Sequence, residues 1–170
     1  MRSGARAARG AALFSILMIE ITAKIKPGTG AQISGQLRLS YDFRQKRWLR
    51  ARLVSGEEVA LKLRRGETLR AGDLLAAPDG SVIEVAAAPE KVLHVECASA
   101  LELARIAYHL GNRHAAVQLG NGFLRIIEDA VLEEMLRGLD AKLTRIEVPF
   151  EPEPGACGGD KDHHVAERHK

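Results

Sequence analysis

Short alternating runs of apolar and polar residues fill the chain from Met18 to about Ala88. Met18-Ile19-Glu20-Ile21-Thr22-Ala23-Lys24-Ile25 alternates with the period of two that marks a half-buried strand. Gln36–Ser40, Ala51–Val54, Val59–Leu63 and Val82–Val85 have β-type alternation or runs, and Ser55-Gly56 reads as a tight hairpin. Arg65-Gly66, Ala71-Gly72 and Asp79-Gly80 add further turn signals. No helical period is sustained here, so residues 18–88 are expected to form a small all-β domain, with Pro89-Glu90 at its boundary.

Beyond Lys91 the period changes. Val92–Cys97 reads as a strand, and Ser99-x-x-Glu102 is a capping box. Leu103, Ile106, Ala107 and Leu110 then recur at i, i+3, i+4 and i+7, one apolar helix face, with Gly111 as its stop through a positive φ. His114–Leu119 is expected to be a strand, turned by a type I′ Asn121-Gly122 into Phe123–Ile127. Asp129 caps a second helix with Leu132, Met135, Leu136 and Leu139 on its apolar face, and Leu143–Val148 closes the series. The order βαββαβ predicts a ferredoxin-like domain over residues 89–152. The fold class is therefore α+β. A flexible, disordered tail is expected over residues 153–170, where Pro, Gly and charge leave nothing to pack.

Composition narrows the function. The 170 residues carry 25 Lys+Arg against 22 Asp+Glu, a net charge of +3. Arg2, Arg6 and Arg9 supply all of that surplus. Residues 1–17 read as a non-native extension ahead of a start at Met18; a secretory signal is the competing reading, but no small-x-small cleavage site follows the apolar stretch. The rest of the chain is balanced, so no nucleic-acid footprint remains, and the few aromatics do not make a base-stacking platform. No apolar run is long enough to span a membrane. The two cysteines, Cys97 and Cys157, form no CxxC pair. There is no GxxxxGK[ST], GxGxxG, GxSxG or HExxH, so an enzymatic reading is weak.

Histidine carries the remaining chemistry. Imidazole binds borderline metals such as nickel, copper and zinc. His163, His164 and His169 crowd the last eight residues, beside Asp160, Asp162 and Cys157. The residues alone leave two readings of this tail, a metal-capture arm or a solvated polar end. His94 lies in an apolar strand and His109 beside a buried helical stripe, where packing roles are favoured. His114 stands at a loop edge, where structural and functional roles weigh equally. Paired acids such as Glu133-Glu134 and Glu57-Glu58 read as solvated faces.

Tyr108-His109-Leu110-Gly111-Asn112-Arg113-His114, followed by Gln118-Leu119, resembles the signature of the UreE-type urease accessory proteins. Pro149-Phe150-Glu151-Pro152-Glu153-Pro154-Gly155-Ala156 is similar to the segment that closes their second domain, and Arg64-Arg65-Gly66-Glu67-x-Leu69-x-x-Gly72-Asp73 to a stretch of their first. The likeness covers about Met18 to Ala156. It implies a cytoplasmic Ni2+ metallochaperone, not an enzyme, dimeric through the ferredoxin-like domain, with the N-terminal domain docking partners. The implied ligand is His114 at a two-fold interface, with His163, His164 and His169 as candidates to complete the shell. Implied partners are a second copy, the urease-maturation GTPase and apo-urease; neither nucleic acid nor membrane is expected. Zn2+ or Cu2+ would compete in vitro. Unlike some members, the chain has no histidine in Arg125-Ile126-Ile127-Glu128-Asp129, which implies few nickel ions. A metal-independent adaptor is the alternative.

Overall fold

The computed structural model of the chain describes residues 19–21, 23–25 and 32–154. The elements are β1 (Ile19–Ile21), β2 (Ala23–Ile25), β3 (Ile33–Leu39), α1 (Tyr41–Arg44), β4 (Trp48–Arg52), β5 (Glu58–Lys62), β6 (Leu74–Ala76) and β7 (Val82–Ala87), then β8 (Pro89–Glu96), α2 (Ala100–Gly111), β9 (Gln118–Gly120), β10 (Phe123–Ile127), α3 (Ala130–Gly138) and β11 (Lys142–Pro149). Residues 1–17, and with them the expected extension, lie outside the described residues.

The alternation from Ile19 to Ile25 serves two sheets rather than one strand. β1 pairs in parallel with β5, which pairs antiparallel with β4. β2 joins the sheet β2-β6-β7-β3. The two sheets share one apolar core, with Ile21, Leu37, Val59 and Leu75 fully enclosed. The hairpin at Ser55-Gly56 forms as expected, with Gly56 at φ +109° and its N–H donated to the Leu53 carbonyl at 3.0 Å. A single helical turn, α1, interrupts the otherwise all-β unit. It is too short to leave a periodic trace in the sequence.

β7 gives way to β8 across one residue, Ala88. The sheet of the second unit is wholly antiparallel in the order β11-β8-β10-β9, with α2 and α3 on one face, which is the expected split βαβ arrangement. Leu93, Val95, Leu124 and Ile126 meet Ile106, Leu110 and Leu136 in a second, separate core. These are the apolar positions the helical and strand periods select.

Three local expectations need correction. The strand expected at His114–Leu119 shrinks to β9, because residues 114–117 form the exit loop of α2. The Asn121-Gly122 turn is not type I′, which requires a positive φ at both residues; only Gly122 has one, at +77°. Glu133 is not a solvated acid. It is buried at 8% exposure and accepts hydrogen bonds from Arg137 on α3 and Arg145 on β11, each at 2.7 Å.

Candidate metal-binding site

The Ser99 hydroxyl accepts the Glu102 N–H at 3.1 Å, as a capping box requires, whereas the Glu102 carboxylate accepts the N–H of Ala98, one residue before the cap, at 2.7 Å. The far end of α2 differs from expectation. Gly111 is still helical, and the left-handed residue is His114, at φ +54°. His114 N–H donates to the Gly111 carbonyl at 2.9 Å, and Ala115 N–H reaches back to Leu110 at 3.2 Å. This pair of bonds is a Schellman closure with His114 in the place glycine usually takes. A side chain there costs about 1 kcal/mol. Strain of this kind, held by its surroundings, is a feature of functional sites.

The exit loop is well anchored. Arg113 Nε donates to Met135 Sδ on α3 at 2.9 Å. His114 is exposed and lines an open cavity of about 470 Å³ with Tyr41, Ala107, Val117, Leu119 and Glu153. The unit around it is acidic: residues 89–154 carry 7 Lys+Arg against 11 Asp+Glu, whereas residues 19–88 carry 12 against 8. The acidic half attracts cations.

The other described histidines are occupied elsewhere. His94 Nδ1 accepts a hydrogen bond from Arg125 Nε at 3.2 Å, and its ring lies 4.7 Å from that of Phe123, on the sheet face away from the helices. His109 is half-buried, edge-on to Tyr108 at 5.5 Å. His94 lies in the packed setting its strand favours, whereas the ring beside His109 is itself exposed. Cys97 is half-buried; burial, and then the Glu102 carboxylate, push its thiol up. Among the described residues, no three His, Cys, Asp or Glu side chains gather closely enough to hold a metal ion. His163, His164, His169 and Cys157 lie outside the described residues.

Sequence reasoning missed how the chain closes beside this cavity. Glu153, expected to open the disordered tail, is pinned, as are the two residues before it. Glu153 N–H donates to the Val117 carbonyl at 2.8 Å and Glu151 N–H to Gln118 Oε1 at 3.3 Å, while Pro152 is buried. The alternating prolines of Pro149-Phe150-Glu151-Pro152-Glu153-Pro154 were the available signal, since such a run is extended.

Known proteins match this chain in both units. The model of the UreE urease accessory protein N-terminal domain matches residues 20–88, and that of the C-terminal domain residues 90–170. The urease accessory protein UreE of Azotobacter vinelandii is 48% identical over 149 residues, 87% of each chain. That of Janthinobacterium sp. is 51% identical over 138 residues, 81% of each. That of Pseudomonas fluorescens (strain Pf0-1) is 49% identical over 131 residues, 76% of this chain and 79% of the relative. With both domain models matched in order and identity near one half along most of its length, the chain belongs to the UreE family of urease accessory proteins.

Proposed function

We propose that the chain is a nickel carrier for urease assembly, and that His114 is its central ligand. The observation that carries this reading is the state of His114: exposed, in a left-handed conformation that favours glycine, on the rim of an open cavity in the acidic half of the molecule. One imidazole does not make a site. Two copies related by a two-fold axis place two His114 side chains at one locus, and His163, His164 and His169 come after the pinned segment that ends beside it. Imidazole donors shared between subunits and tail release an ion more readily than a closed thiolate cage, which suits delivery. In the cytoplasm the dimer would hand Ni2+ to the urease-maturation GTPase and so to apo-urease, with the basic N-terminal unit as the docking half. Zn2+ and Cu2+ bind the same donors in vitro, copper more tightly by the general affinity order. Family membership does not favour the metal-independent adaptor.

The direct test is nickel titration calorimetry on wild type and His114→Asn. Asparagine tolerates the left-handed conformation, so the loop is kept while the imidazole is lost. Affinity is expected to fall by about 100-fold. Unchanged stoichiometry and affinity remove His114 from the site.

A further inference from the structure

The first unit concentrates positive charge on and around β4. Five of the ten residues from Phe43 to Arg52 are Lys or Arg, and none is acidic. Arg44 turns inward, where its guanidinium donates to the Glu151 carboxylate. Lys46, Arg47, Arg50 and Arg52 are exposed. β4 alternates: Leu49 and Ala51 pack on the first core, while Trp48, Arg50 and Arg52 stand on the outer face. The register with β5 sets Lys62 beside Trp48, Ala60 beside Arg50 and Glu58 beside Arg52. The Lys62 ammonium lies 5.2 Å and the Arg47 guanidinium 5.7 Å from the centre of the Trp48 ring. Arg50, Arg52 and Glu58 border an open groove of about 400 Å³.

A merely solvated face has no need of a tryptophan. Trp48 is 62% exposed, which forfeits the burial a large aromatic side chain ordinarily gains. Trp and Arg are the residue types that concentrate binding energy at protein interfaces. Neutralisation within the face is also incomplete. Arg52 meets Glu58 at 2.8 Å and Lys62 reaches Glu20 only at 4.0 Å, whereas among the described residues neither Arg47 nor Arg50 has an ion pair. The surplus is positive, so the complementary surface is acidic. A second copy of the face would set arginine against arginine, and β4 ends its sheet, where such charge opposes edge-to-edge pairing. Nucleic acid fits less well than protein. The Trp48 ring already carries two cations, and Glu20 and Glu58 lie within the face, where they would oppose a phosphate backbone.

We propose that the outer face of the β1-β5-β4 sheet, centred on Trp48 and Arg50, docks an acidic surface of a protein partner. Trp48 supplies the apolar contact, Arg47 and Arg50 supply the unpaired charge, and the groove beside Arg50 receives a carboxylate side chain. The inference rests on the docking role proposed for the first unit; it names the face and the chemistry of what lands there. The acidic second unit repels the same partner, so docking on β4 leaves the His114 cavity uncovered.

The test is fluorescence anisotropy of a labelled decaglutamate peptide titrated with the full-length chain at low salt. It compares wild type with Arg50→Glu, Trp48→Ala and Arg105→Glu. Arg105 is exposed on α2, so its replacement makes the same change in net charge away from the face. Affinity is expected to fall about tenfold in Arg50→Glu, about threefold in Trp48→Ala and not at all in Arg105→Glu. Trp48 is the only tryptophan in the chain, and its emission is expected to shift on binding. No binding of the peptide overturns the proposal. Equal weakening by Arg50→Glu and Arg105→Glu overturns it too, because net charge and not the face is then responsible. A decauridylate RNA that binds more tightly than the peptide assigns the face to nucleic acid instead. A peptide that binds but ignores Arg50 and Trp48 removes this face while the docking role of the unit stands. Nickel binding by His114→Asn is read without any peptide, so a failure of the carrier reading is distinguishable from all of these. Should Arg50→Glu not fold, Arg50→Gln carries the same comparison at about threefold.

Discussion

At the end of α2 and at the end of α3 the backbone makes the same move. Ala141 N–H reaches back to Leu136 at 3.1 Å, and Asp140 N–H to Arg137 at 3.0 Å, just as Ala115 and His114 do one helix earlier. Asp140 sits at φ +59° and His114 at +54°. The closures differ in the residue at the left-handed position and in the segment that comes next. Aspartate is common in that conformation because its short polar side chain bonds locally, and two residues later the chain is already in β11. After His114 comes a loop that borders a cavity in the acidic half of the molecule. The same closure ends one helix economically and, in the other, holds an imidazole away from the core. Geometry alone does not mark a site; the residue, the exposure and the cavity do so together.

The largest test of this contrast is nickel binding. His114→Asn is expected to cost about 100-fold in affinity, and Asp140→Asn nothing, both by calorimetry. Equal effects would erase the distinction. At the opposite ends of the helices no distinction is expected. Ser99→Ala and Asp129→Ala each remove a side-chain cap, to Glu102 and Leu132 N–H respectively. Each should lower unfolding free energy by about 1 kcal/mol in urea titrations. At the left-handed positions, His114→Gly is expected to stabilise by about 0.5 kcal/mol and Asp140→Gly by less, because the aspartate is the less strained of the two. A loss of stability in His114→Gly would mean that the imidazole packs rather than waits.

The smallest effect separates the two helices by pH. Arg137 and then Arg145 hydrogen-bond Glu133 on α3 and hold its carboxyl below the usual carboxylate range, under 4.5. A lowered folded pKa contributes stability that is complete above the unfolded value and is lost as pH falls through the folded one. The melting difference between wild type and Glu133→Gln should therefore be constant at neutral pH and shrink below pH 4.5. Ser99→Ala, which touches no such pair, should show no matching trend. A Glu133→Gln difference that widens on acidification would contradict the assignment.

What could be read from the sequence was local. Both helices, their caps and their apolar faces are legible in the spacing, because each depends on residues three or four apart. The Tyr108–His114 segment could be singled out by its likeness to a known signature. Its conformation could not, because Gly111 is the expected stop and the left-handed turn falls three residues later. The contact between Arg44 and Glu151 was also out of reach. Arg44 meets Glu151 across more than a hundred residues of sequence, and a charged residue after a tyrosine and a phenylalanine gives no hint that it is buried. Glu133 misled for the same reason: one of its two partners, Arg145, comes from a strand. Gly120 shows the limit at its smallest scale. A Cβ there would lie 2.1 Å from Phe123, whose ring occupies the space, and nothing in the spacing signals this.

Ala88, alone between β7 and β8, has a mechanical consequence. The residue before a proline is held extended, and Ala88 N–H is tied to the Leu39 carbonyl at 2.9 Å. The joint has no slack to stretch or twist, so the spacing of the two sheets is counted in whole residues, like teeth on a gear. Adding one residue at this joint would shift the register of everything downstream against the first sheet. It could leave each half intact and still part Arg44 from Glu151.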